Sequence, residues 1–61
     1  MKFAIKVDVW KNNNKYGEPD ENKTVGEYYS EDAAKVDVEM IKLRLMCVGY
    51  QRIQLEIIVV N

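Results

Sequence analysis

SEDAAKVDVEMIKLRLMCVG, residues 30–49, carries the start and stop signals of one long helix. Ser30 is a good N-cap, because its hydroxyl can accept from the free backbone N–H groups of the first turn. Glu31 and Asp32 follow it and put negative charge at the positive end of the helix dipole. Gly49 suits the left-handed residue that closes a helix. These signals predict a helix over 31–48.

At about 100° per residue, this segment shows two apolar stripes rather than one. Ala33, Val36, Met40, Leu43 and Cys47 form the first. Ala34, Val38, Ile41, Leu45 and Val48 form the second. Asp37 and Arg44, one heptad apart, sit in the narrow seam between them, while Asp32, Lys35, Glu39 and Lys42 hold the wide polar side. A surface helix ordinarily shows a single stripe somewhat over ~100° wide, and here the apolar arc spans roughly 220° with the seam included. One reading sinks this broad face into a concave sheet. The other turns one stripe to the protein's own sheet and the other to a second molecule.

Outward from the helix, residues 2–10 and 51–60 alternate with period two, the mark of strands with one face on a core. Phe3, Ile5, Val7 and Val9 form one inward set, and Ile53, Leu55, Ile57 and Val59 the other. Residues 23–29 read as a weaker strand, in which Gly26 either loosens the pairing or marks a bulge that resets the alternation. Residues 11–22 lack apolar periodicity and are rich in turn formers (a triple Asn, then Gly17-Glu18-Pro19-Asp20), which predicts a long loop. A tight turn followed by a short strand near Lys15 and Tyr16 is the alternative there. Trp10 either packs over that loop or stands as an exposed contact residue.

The element order is β-β-α-β, within one domain over residues 1–61. The expected fold is α+β: a three-stranded, mostly antiparallel sheet in the order 2-1-3, with the helix on one face. A parallel pairing of the last strand with the second is the alternative, and it would need a right-handed crossover.

The 61 residues carry a net charge of −1, with one Cys and no His. A dedicated nucleic-acid binder normally concentrates basic surface, and this composition does not. The lone Cys excludes an internal disulfide, and the lack of His removes the usual zinc sites and the commonest general base. Cys47, placed on an apolar stripe, is expected in the core as an inert small hydrophobe. Glu18, Asp20 and Glu21 lack the ligand spacing of a calcium loop. No metal, cofactor, catalytic residue or small-molecule substrate is therefore expected. No apolar run reaches transmembrane length, and a reducing, cytoplasmic setting is expected.

Chains of this size bury only ~60% of their unfolded surface and commonly need a staple; with disulfide and metal excluded, oligomerisation remains. The expected function is a non-catalytic interaction or regulatory protein, of a kind compatible with a phage or mobile element, that self-associates as a homodimer or other homo-oligomer. Its interface is assigned to Ala34, Asp37, Val38, Ile41, Arg44, Leu45 and Val48 on the helix, with Ile58 and Val60 on the last strand. The alternative is a single-stranded nucleic-acid binder that uses Lys2, Lys6, Trp10, Tyr28 and Arg52 on the open sheet face.

Overall fold

The computed structural model describes residues 1–11 and 17–60. Four elements follow in the order β1 (Phe3–Trp10), β2 (Glu21–Tyr28), α1 (Glu31–Val48) and β3 (Arg52–Val59). The sheet order is β2-β1-β3 with both pairings antiparallel, so this is a small α+β domain with β1 in the centre. The second strand begins two residues earlier than its sequence suggests. The expected loop and the alternative strand near Lys15 and Tyr16 fall largely on residues 12–16, outside the described residues.

β1 is the most deeply covered strand: Ile5, Val7 and Val9 are buried, whereas Ile53, Leu55 and Ile57 of β3 are only half-buried. Ile5, Val7 and Val9 are the buried core on the helix side. Packed against them are Val25 and Tyr28 from β2, Val38, Ile41 and Leu45 from α1, and Ile53 and Leu55 from β3, with Tyr50. The register of β1 with β3 is regular, from Phe3 opposite Val59 to Trp10 opposite Arg52. Directly opposed residues share a face, so Ile53, Leu55, Ile57 and Val59 look toward the helix.

The pairing of β1 with β2 shifts between Phe3 and Ile5. Ile5 is opposite Val25 and Phe3 opposite Tyr28, so Ala4 alone faces Gly26 and Glu27. Two residues against one is a β-bulge, and Gly26 takes the left-handed conformation it requires, at φ +80°. The extra residue puts both Val25 and Tyr28 on the helix side, which strict alternation forbids.

Both helix ends form as their residues suggest. Ser30 Oγ accepts from the Ala33 N–H at 3.2 Å. Gly49 lies at φ +92°, and its N–H donates to the Met46 carbonyl at 3.2 Å. The helix lies mainly over β3 and β1 and touches β2 least.

On the opposite face Trp10 is 5% exposed. Its indole N–H donates to the Gly17 carbonyl at 2.8 Å, and the Arg52 guanidinium lies 4.7 Å from the ring centroid. The hairpin closes beside it, with Asp20 N–H donating to the Val9 carbonyl and Lys11 N–H to Asp20 Oδ2 at 2.6 Å. Of the two readings of Trp10, packing against the loop is the one the structure adopts.

Gly26 is needed for its backbone conformation and also because the Tyr28 ring lies where a Cβ would project. Gly26→Ala is expected to lower stability by ~1–2 kcal/mol or more, since the left-handed region alone costs an L-residue about that much. Urea unfolding compared with wild type measures it.

Candidate interaction surface

The helix turns its second stripe inward. Ala34 is 0% exposed, and Val38, Ile41 and Leu45 pack on the sheet core. This stripe, assigned above to an interface, is the one that packs on the protein's own core: Ala34 is fully covered there, whereas Val38, Ile41 and Leu45 stay half-buried at its margins. Val48, past the last inward turn, is exposed.

The stripe left in solvent is the other one. Val36 is 66% exposed, Met40 49% and Leu43 59%. Ala33 and Cys47 are exposed as well, and Met46 widens the strip. Cys47 is thus a free, exposed thiol rather than the core residue expected of it. Ala33, Val36, Met40, Leu43 and Cys47 alternate three and four apart, the spacing of the a and d positions that form a coiled-coil seam.

Asp37 and Arg44 border this ridge on the β2 side. Asp37 is half-buried, and its Oδ2 accepts from the Tyr28 hydroxyl at 2.6 Å. That bond raises the Tyr28 pKa above the ordinary phenol value, helped by burial and by the charge on Asp37. Arg44 is exposed and, with Tyr28 and Asp37, lines a groove of about 350 Å³ between α1 and β2. Val7, Val25 and Ile41 form apolar walls of that groove, which lies on the flank where α1 touches the sheet least.

The last strand contributes differently at its two candidate residues. Ile58 is opposite Ala4 on the open face and half-buried, whereas Val60 is exposed. The N–H of Val60 donates to the Lys2 carbonyl at 2.9 Å, which extends the ladder by one residue.

The five residues of the nucleic-acid alternative do not share a face. Tyr28 lies on the helix side, bonded to Asp37, which corrects its placement on the open face. Trp10 is buried beneath Arg52 and the loop, so its ring is no free stacking platform. Lys2 pairs with Glu27 at 2.8 Å, and Lys6 is opposite Glu56. The open face is a mixed-charge lattice.

A polar cluster sequence reasoning missed closes one end of the sheet. Lys11 pairs with Glu21 at 2.8 Å, and Tyr50 donates to the same carboxylate at 3.5 Å. The hydrogen bond and charge of Lys11 hold Glu21 below the usual carboxylate range, and Glu21 in turn raises Lys11. Both side chains are exposed, so this pair adds little to stability. Among the described residues no group of three or more His, Cys, Asp or Glu gathers as metal ligands would, and no helix is long and apolar enough to cross a membrane.

Compared with protein-family models, curated proteins and solved structures, the chain matches none at a significant level.

Tyr28→Phe is expected to cost ~1.5 kcal/mol at neutral pH, the low end for a hydrogen bond to a charged group because the pair is only half-buried. Because the folded pKa of Tyr28 is raised, its contribution is complete below the unfolded value of about 10 and is lost as pH rises through the folded value. The gap in unfolding free energy between wild type and Tyr28→Phe should therefore narrow at alkaline pH. Urea titrations across that range measure it, and a gap that stays constant would show that the hydroxyl of Tyr28 is not held by Asp37.

Proposed function

We propose that this protein is a non-catalytic interaction module that self-associates through the outward ridge of α1, its Ala33, Val36, Met40, Leu43 and Cys47 meeting the same ridge of a second copy. The observation that carries this reading is the 49–66% exposure of Val36, Met40 and Leu43 at seam spacing on a helix whose opposite side is already occupied. Contiguous apolar surface on a small protein marks an interaction site. Methionines suit such a surface, because their unbranched chains adapt to a partner.

The flanking charges select a second copy and an antiparallel arrangement. Antiparallel seams pair a positions with d positions, which here sets Met40 against Leu43 of the second copy and Val36 against its Cys47. That register carries Asp37 alongside Arg44 of the second copy, twice about the two-fold axis. A parallel seam would instead bring Asp32 toward Asp37 of the second copy on both sides, a like-charge contact that offsets the Glu39 to Arg44 pairing the same seam makes. Charge pairs of this kind fix register and orientation more than they add affinity.

Light scattering over a dilution series is expected to show species heavier than 7.1 kDa that dissociate on dilution. Leu43→Glu should weaken the ridge contact by at least ~tenfold in dissociation constant, equivalent to ~1.4 kcal/mol. Arg44→Asp should weaken it several-fold at low salt and less at high salt, where the Asp37 repulsion it introduces is screened. A constant 7.1 kDa mass at every concentration would sink the reading.

A further inference from the structure

The two edges of the sheet are unlike. β2 is guarded by its bulge at Gly26 and by Glu21, Lys23 and Glu27, devices that discourage strand addition. β3 has neither bulge nor proline nor lysine. Its outward groups follow from its ladder. Val60 turns its N–H to β1, so by alternation Arg52, Gln54, Glu56 and Ile58 also turn inward. The N–H and C=O groups of Ile53, Leu55, Ile57 and Val59 are then directed at the free edge.

The geometry points to β3 as the docking edge for β3 of a second copy, antiparallel and centred on Gln54, joining two sheets into one of six strands. A two-fold pairing that uses the outward groups must bring odd-numbered residues opposite odd-numbered ones. Centred on Gln54, it pairs Ile53 with Leu55 of the second copy and sets Arg52 directly opposite its Glu56, twice. In the single chain the Arg52 guanidinium lies 4.7 Å from the Trp10 ring centroid, on the same open face as Glu56. Centred on Glu56, the same edge would set two carboxylates face to face.

The helix side supplies a second, independent complementarity. Along the β3 side of α1, one cleft of about 170 Å³ is lined by Val38, Glu39, Lys42, Ile53 and Leu55. A neighbouring cleft is lined by Lys35, Val38, Glu39 and Glu56, among others. Glu39 thus lies level with Leu55, and Lys42 nearer Ile53. The two-fold axis that exchanges the levels of Leu55 and Ile53 brings Glu39 of each copy to Lys42 of the other. The half-buried Val38, Ile53, Leu55 and Ile57 become covered in the same step.

This contact does not rest on the α1 ridge, and a chain that uses both two-fold contacts can close on itself as four copies. The test uses two single variants, Arg52→Glu and Glu56→Arg, each confirmed as folded by circular dichroism. Each alone sets like charges opposite at the edge and is expected to lose the edge contact. An equimolar mixture restores opposite charges at both sites and should recover the wild-type mass in light scattering. Either variant keeping wild-type mass alone, or a mixture that fails to recover it, overturns the proposal. Hydrogen exchange on the unaltered chain reads the same contact without substitution. The Ile53 and Leu55 amides should exchange freely when dilute and become at least ~tenfold slower when associated, the factor that ~1.4 kcal/mol of pairing confers. Leu43→Glu should leave that protection in place, which separates failure of the ridge from failure of the edge. Unprotected Ile53 and Leu55 amides at associating concentrations would overturn the edge contact.

Discussion

One helix must seal one face of three strands, and how it is rotated decides what the protein shows to its surroundings. The rotation is set at the bulge. Gly26 admits an extra residue into β2, and that residue swings Tyr28 from the open face to the helix face. There its hydroxyl reaches Asp37, the first polar side chain beside the inward stripe. The bond pins the β2 flank of α1, and Ala34, with no bulk to hold the helix off, lets the first turn come down on the sheet. With those two points fixed, Val38, Ile41 and Leu45 face the core and Val36, Met40 and Leu43 face water. A backbone conformation at one glycine is thereby linked to the identity of the exposed surface.

Much of the fold was legible because its signals are local. Ser30 and Gly49 bound the helix through backbone groups a turn away, and the alternation in β1 and β3 needs only a pleated strand with one buried side. The order 2-1-3 follows from connectivity, since a hairpin pairs the first two strands and the helix returns the chain so that the last strand lies antiparallel to the first. The choice between the two helix stripes was not legible by counting, since each offers five apolar residues and the two lie a little under half a turn apart. Chemistry within the stripes carried a signal that counting passes over. The inward stripe is Val, Ile and Leu with Ala34, rigid shapes suited to a fixed core, whereas the outward one holds Met40 and Cys47, beside Met46, softer groups suited to an adaptable contact.

Long-range contacts account for the remaining differences. Gly26 was readable as a bulge, but the consequence for Tyr28 required knowing which β1 residue stood opposite it. Tyr28 therefore moved from the open face to the helix side, and with it went half of the aromatic surface assigned to base stacking. Trp10 followed the same logic in reverse. Its position on the open face was correct, yet Gly17 and Arg52 cover it from segments seven and forty-two positions away in sequence. Neither partner leaves a periodic trace.

The two surfaces left incomplete differ in what they ask of the fold. The α1 ridge stands clear of the sheet, so a partner there would cover Val36, Met40 and Leu43 without touching Ile5, Val7 or Val9. The β3 edge adjoins side chains that are only half covered, Val38, Ile53, Leu55 and Ile57, each one layer from that core. A strand added to that edge would thicken the wall around the buried residues, and a ligand that binds only the folded state raises its stability by mass action. For a core made of so few fully buried side chains, association at the edge is coupled to folding, whereas association at the ridge is coupled mainly to the surface it hides.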